Sequence, residues 1–360
     1  MDLADRPRLI LWLAVAGLAT AMNSSSLAVA SDSEPAMRVW IDTDAACGHR
    51  ATADPDDCFA LWMLTKAPQF VVAGVSTVFG NAPLADTDRI VRRVLERSNR
   101  GDLPQLVHRG FAHAIEEVTP EPMPGGVLAI REALREGPLR IIALGPLSNI
   151  AAAIHDQPAL ARNVVEVVAV MGKREGHLFH PSEGARLNLL FGHGPIFSDV
   201  NFSRDVVAAR MVMGAGVRIT LLPYELARQV SLTGDDLSRF ERTGGTLGWI
   251  ARSSRGWLAY WRAVVGRDGF YPFDLLAAVY AIDDRHLGCA REPARVGVDG
   301  KVGPFFRGSA SLLVGAPHSG DDRAFGPAVD VTYCTVAHPS LRPWLLATLV
   351  DARIGFTRRN

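Results

Sequence analysis

The chain has 360 residues, 48% of them hydrophobic, which is enough apolar material to fill one large domain or two modest ones. Its 38 lysines and arginines balance 38 aspartates and glutamates, so the formal charge is zero with histidine neutral. That balance, with no basic stripe, offers no footprint for nucleic acid and none for an acidic membrane surface.

The N-terminus reads as a targeting segment. Arg6 and Arg8 precede an apolar stretch over residues 9–22 that is too short for a comfortable membrane span. Ala28-Val29-Ala30 then supplies the small-residue pattern of a cleavage site. Residues 1–30 are therefore expected to be a signal peptide, and residues 31–360 a single exported domain, periplasmic or secreted. An uncleaved anchor is the alternative. No later stretch is apolar long enough to span a bilayer, so no membrane association is expected after cleavage.

The apolar run 37–41 predicts a buried strand, and it leads directly into Asp42-Thr43-Asp44 and, a loop later, Asp54-Pro55-Asp56-Asp57. Up to five carboxylates thus crowd the carboxyl end of a first strand, the end at which α/β sheets bind ligands. Carboxylates so close raise one another's pKa unless a cation sits among them. A hard, oxygen-seeking ion such as Ca²⁺ resolves the repulsion. The competing reading is a polar loop whose aspartates cap the helix that starts near Cys58. Of the four cysteines, Cys47 and Cys58 bracket this loop, and Cys289 and Cys334 lie in the last third. An oxidising compartment would permit the pairs Cys47–Cys58 and Cys289–Cys334, the first holding the loop's carboxylates in place; four buried thiols are the alternative.

Strand and helix then alternate: strand 70–78, an arginine-rich helix 84–98, a short strand 105–107, helix 127–136, strand 139–144, a helix from 150, and strand 164–171. Near-continuous valine, isoleucine and leucine runs between helices predict an α/β fold with an open, mainly parallel sheet covered on both faces. Trp257 and Trp261, spaced i and i+4, read as the apolar face of a helix within 248–271. Residues 291–331 read as late strands near the edge of the sheet and 340–354 as a closing amphipathic helix.

The acidic stretch, with Asp56-Asp57-Cys58-Phe59-Ala60-Leu61 at its end, resembles the aspartate cluster of the inosine–uridine-preferring nucleoside hydrolases. Ser76-Thr77-Val78-Phe79-Gly80-Asn81, Ala143-Leu144-Gly145-Pro146-Leu147-Ser148-Asn149-Ile150, Val170-Met171-Gly172, Asp199-Val200-Asn201 and Phe273-Asp274 follow in that family's order. Each piece is ordinary turn chemistry taken alone. Five in order, each at a strand end or a helix start, are specific, and together they span residues 38–283.

The resemblance implies a nucleoside hydrolase-like domain with Ca²⁺ held by Asp44, Asp57, Asp274 and the main-chain carbonyl of Val170. Asp44 would double as general base for a water that attacks the sugar carbon as the bond to the base breaks. Asp56, Asn81, Asn201, Asp199 and His193 would contact the sugar, with Asp199 standing where the family has a glutamate and His193 where an asparagine is common. Three departures are visible. The connection 45–55 is several residues longer than usual, and Phe273 replaces a histidine that protonates the departing base. The third is 120–126, a proline-rich segment in place of a glycine-rich loop. Without that histidine, a departing purine would need activation by stacking or by another acid, such as Tyr224, Glu225, His177 or His180. The expected partner is a small nucleoside or ribosyl compound; a homo-oligomer is left open. Two further functions stay open beside hydrolysis of ribonucleosides: a hydrolase of another ribosyl or glycosyl compound, and a Ca²⁺-dependent sugar-binding protein without turnover.

Overall fold

The first strand, β1 (Met37–Thr43), starts half-buried and becomes buried on both faces, as a central strand of a parallel sheet must be. The computed structural model describes residues 36–98, 100–115, 122–177, 198–299, 310–315 and 326–350; residues 1–30, expected as a targeting segment, and His180 and His193 lie outside these. Along β1, side chains alternate between two cores. Val39 and Ile41 join one, and Trp40 joins the other. Helices therefore cover both faces, as the apolar runs predict.

The remaining strands are β2 (Phe70–Thr77), β3 (Val107–Arg109), β4 (Leu139–Ala143), β5 (Val164–Ala169), β6 (Lys173–Arg174), β7 (Ile219–Leu221), β8 (Leu287–Val298), β9 (Ala310–Val314) and β10 (Val329–Ala337). They form one sheet in the order β3-β2-β1-β4-β5-β7-β10-β8-β9-β6. Every pairing among the described residues is parallel except β10 with β8 and β8 with β9. The chain runs outward from β1 through β2 to β3, then returns to place β4 on the other side of β1. Such a reversal opens a crevice beyond the carboxyl ends of the two strands flanking it. Here those are β1 and β4, and β1 ends in the acidic stretch.

The late strands lie near one edge of the sheet, as expected, with β8 antiparallel to β10 and to β9 and the two-residue β6 beyond them. Cys289 and Cys334 are direct cross-strand partners there and are joined by a disulfide. The strand expected at 105–107 begins only at Val107. Pro104 starts a short 3₁₀ turn over Pro104–Leu106, because its fixed φ suits a helical first position and its missing N–H does not suit a ladder.

One close contact deserves a number. The indole of Trp40 lies over Gly74, where an added Cβ would come within 2.2 Å of it, and Trp40 Nε1 donates to Ser76 Oγ at 2.7 Å. Gly74→Ala is therefore expected to destabilise the fold by about 1–3 kcal/mol, read as a lower urea midpoint with unchanged slope. A midpoint equal to that of the wild type would show that the indole moves freely.

Candidate active site

Three segments bring acids to the crevice. The end of β1 supplies Asp42 and Asp44, the first turn of the helix Asp56–Lys66 supplies Asp56 and Asp57, and the start of the helix Phe273–Ile282 supplies Asp274. Both helices point their N-termini at the site, and backbone N–H groups there favour carboxylates. Asp56 shows this directly: its Oδ1 accepts from Asp57 N at 3.1 Å and its Oδ2 from Asp274 N at 2.8 Å.

Alternation along β1 sends neighbouring side chains to different tasks. Asp42 turns into one core, where its Oδ1 accepts from Ser76 Oγ and from Asn149 Nδ2, the latter at 2.8 Å. Thr43 turns the other way and donates its hydroxyl to Asp57 Oδ1 at 2.5 Å. Asp44 reaches the cavity, and its Oδ2 accepts from the backbone N–H of Asn81 at 2.7 Å. Gly80 makes that wrap achievable. Its φ is +155°, and a Cβ at this position would stand 1.9 Å from Asp44 Oδ2. Gly80→Ala should thus displace the carboxylate and lower the catalytic rate about 100-fold, with a lower melting temperature from the backbone strain at that φ. Unaltered turnover would mean that the position of Asp44 does not matter.

Carboxylate oxygens of Asp56, Asp57 and Asp274 lie within 4.8 Å of one another. Asp57 Oδ2 and Asp274 Oδ1 are buried and have no hydrogen-bond partner. Burial, then the charges of Asp56, Asp57, Asp44 and Asp54, push the Asp274 pKa well above the ordinary value. Burial and the Asp57 charge do the same for Asp44, and burial with the Asp56 charge raises Asp57 to about 7. Buried oxygens with unmet bonding capacity, in a set made only of oxygen donors, fit a hard divalent cation such as Ca²⁺. The closest trio differs from the expected ligand set. Asp56 belongs to it, whereas Asp44 stands beside it on the cavity wall.

The cavity measures about 180 Å³ and is lined by Asp44, Asp54, Asp56, Asn81, Val170, Asp199, Asn201 and Asp274, with Leu222, Tyr224, Trp257 and Phe273 as an apolar wall. Several expected sugar contacts are already engaged. Asn201 Nδ2 donates to the carbonyls of Leu144 at 2.8 Å and Val170 at 3.1 Å, tying the ends of β4 and β5 together. Only its Oδ1 is left to meet a ligand. Asp199 caps the short helix Val200–Arg204: its Oδ1 accepts from Phe202 N and its Oδ2 from Gly172 N, at 3.2 and 2.7 Å. Burial raises its pKa to about 6. Asn81 donates its amide to the carbonyl of Asp54 at 3.1 Å. Val170 faces the cavity with one of its carbonyl lone pairs given to Asn201.

Two residues outside the expected site belong to it. Asp54 lines the cavity, and only its membership of the acidic run signalled it. Trp257 does so too, stacking on Tyr260 at 5.2 Å and meeting Trp261 edge-on at 6.2 Å. The i, i+4 pair therefore divides, with Trp261 wholly in the core and Trp257 on the cavity. Phe273 stacks on Tyr224 at 6.1 Å. Of the residues expected to replace the missing proton donor, Tyr224 lines the cavity. Glu225 does not; it accepts from Arg174 N at 2.8 Å and Tyr333 Oη at 3.0 Å.

Known proteins give the same picture. The sequence profile described as "Inosine-uridine preferring nucleoside hydrolase" matches residues 39–324. An uncharacterized protein of Schizosaccharomyces pombe is 25% identical over 262 residues, covering 65% of this chain and 76% of its own length. The pyrimidine-specific ribonucleoside hydrolase RihB of Escherichia coli strain SE11 is 26% identical over 235 residues, 59% of this chain and 67% of that protein. Its namesake in strain K12 is matched over 64% of its length. Among solved structures, a plant nucleoside hydrolase superposes with a TM-score of 0.68 at 22% identity, over 88% of this chain and 100% of that one. A purine-preferring ribonucleoside hydrolase from Gardnerella vaginalis gives 0.65 at 17% identity, over 89% and 100%. At those identities the two structures bear on the fold alone.

Proposed function

Because the chain belongs to the inosine-uridine preferring nucleoside hydrolase family, and so is a hydrolase of N-glycosyl compounds, we propose that it cleaves ribonucleosides to ribose and free base with Ca²⁺ as its resident cation. The observation that carries this reading is the convergence of acids from β1 and two helix starts, with buried oxygens of Asp57 and Asp274 that lack any partner. Asp57 and Asp274, with Asp56 and Asp44 beside them and the carbonyl of Val170 on the same cavity, would hold the cation. When bound, such an ion lowers the pKa of a water and grips vicinal sugar hydroxyls.

The chain's own residues do the rest. Asp44 accepts the proton of the attacking water as general base; burial and then the Asp57 charge raise its proton affinity above that of an ordinary carboxylate, and Asn81 N–H fixes its orientation. The carboxylates around the sugar offset the positive charge that develops as the bond to the base breaks. Asp56, Asn81, and the free oxygen of Asn201 are within the cavity for the sugar hydroxyls; Asp199 supports that wall by holding Gly172 and Phe202. Tyr224, Trp257 and Phe273 give the departing base an aromatic surface and keep water away. Residues 1–30 would direct export, and two disulfides in the fold favour an oxidising compartment.

A second reading is favoured by Phe273, which cannot donate a proton. It keeps the cation and Asp44 but changes the substrate to another ribosyl or glycosyl compound whose leaving group departs unprotonated. Release of free ribose from inosine and uridine tests the first reading. A 2′-deoxy analogue should react at least about 100-fold more slowly, because a site built around a hydroxyl pair leaves its polar groups unmet without one. Protein that binds Ca²⁺ yet releases no ribose from either nucleoside would overturn it, and turnover of another glycosyl compound would then separate the second reading from a Ca²⁺-dependent binder without turnover.

A further inference from the structure

The connection between the two halves of the acidic stretch is closed by a disulfide between Cys47 and Cys58. Cys47 lies three residues after Asp44, and Cys58 directly follows Asp57. The bridge therefore ties the exit of β1 to the first turn of the helix Asp56–Lys66, the two segments that deliver most of the site's carboxylates. Both cysteines are buried, at 1% and 0% exposure.

Segment 45–55 has non-covalent anchorage as well. Its internal backbone hydrogen bonds are His49 N to Ala46 O and Ala53 N to Arg50 O, Ala45 and Cys47 reach the main core, Ala46 and Ala53 pack with Ala82, and His49 Nδ1 lies 3.6 Å from Asp86 Oδ1. At its far side the carbonyl of Ala51 packs where Gly256 leaves room, 2.5 Å from where a Cβ would be. Gly256 is followed by Trp257 of the cavity wall. At its end, Asp54 faces the cavity while its carbonyl accepts from Asn81. Without a cation, Asp44, Asp54, Asp56 and Asp57 repel one another across this segment, and that force acts to open it. The contacts of the segment oppose it non-covalently; the covalent link opposes it irrespective of charge.

We propose that Cys47 and Cys58 are positioning residues for the cation site: their bridge holds segment 45–55, and with it Asp44, Asp54 and Asp57, in the arrangement that a divalent ion requires. The proposal rests on the cation reading above. The second bridge, Cys289–Cys334, joins β8 to β10 and touches neither acidic segment, so it serves as the control.

Calorimetric titration of chelator-stripped protein with Ca²⁺ tests this. In Cys47→Ala/Cys58→Ala the dissociation constant is expected to rise about 10- to 100-fold, the range over which outer partners of metal ligands act. In Cys289→Ala/Cys334→Ala it should stay within about threefold, whatever that pair does to the melting temperature. Far-UV circular dichroism checks that both variants are folded. If the first variant does not fold, wild-type protein reduced with dithiothreitol replaces it. That reagent's two thiols become its cyclic disulfide as the bridge becomes two thiols, and mass spectrometry of the alkylated protein verifies the cleavage. A dissociation constant within twofold of the wild type in the folded, unbridged protein overturns the proposal and leaves the cation reading intact. A wild-type protein that binds no Ca²⁺ overturns the cation reading itself.

Discussion

Asp44→Asn is expected to lower the turnover of ribonucleosides about 10³- to 10⁴-fold, in the upper half of the range for loss of a general base. The substitution is close to isosteric. An amide oxygen can still accept from Asn81 N, and the tight approach of Gly80 is preserved, so the cavity keeps its shape. What disappears is the ability to take a proton, together with one of the charges crowded at the site. The second loss makes the prediction two-sided. In the cation-free wild type the folded pKa of Asp44 is raised well above the ordinary carboxylate value, first by burial and then by Asp57. Keeping Asp44 ionised in the fold therefore costs stability at any pH above its unfolded value. Cation-free Asp44→Asn should consequently melt at a higher temperature than cation-free wild type at pH 8, while being nearly inactive. A variant that keeps more than a tenth of wild-type turnover would remove Asp44 from the role of base. A variant that loses both activity and stability would make it a structural residue.

Much of this site was legible because it lies where local pattern and topology agree. An apolar strand followed by Asp42-Thr43-Asp44 announces both its position and its chemistry, and the phenylalanine before Asp274 marks a departure without any coordinates. Alternation along β1 even decides that Asp42 and Asp44 share a direction while Thr43 opposes them. Yet Asp42 ends in a web with Ser76 and Asn149 and does not line the cavity. That division depends on β2 and the helix after β4, which no local pattern encodes. The same holds for Asn201. Its amide protons go to Leu144 and Val170 because a short helix from a distant segment happens to cap two strand ends. Asp199 looks like a sugar-binding acid in sequence and turns out to have both oxygens on backbone N–H groups. Trp257 and Trp261 are equivalent by spacing; only the packing of the helix Arg255–Tyr260 and the turn after it sends one to the cavity and the other to the core. That β8 runs antiparallel to β10 and β9 was hidden for a related reason, since an alternating apolar pattern places a strand near an edge without naming its partners.

Removal of divalent cations should abolish hydrolysis, and restoring Ca²⁺ should raise the melting temperature by about 5 °C at pH 8 when its concentration is about 100 times the dissociation constant. The physical basis is the set of raised carboxylates. Asp57 is shifted from 3.8 to about 7, first by burial and then by Asp56, and Asp274 is raised by burial and four neighbouring charges. For a carboxylate whose folded pKa exceeds its unfolded one, the cation-free fold is penalised above the unfolded value, and the penalty grows until the pH reaches the folded value. The cation-free protein should thus lose stability as pH climbs above about 4, with the share due to Asp57 complete near pH 7. A bound cation reverses the preference: it favours the ionised carboxylates, and its contribution is lost as pH falls and protons compete for the same oxygens. The stabilisation by Ca²⁺, measured as the difference in melting temperature with Ca²⁺ and with chelator, should therefore be large at pH 8 and small at pH 5. Equal differences at the two pH values would mean that the ion binds somewhere other than these acids. Hydrolysis that survives chelation would leave the orphaned oxygens of Asp57 and Asp274 to be met by protons alone, and the base at Asp44 would then have to work on a water that nothing else activates.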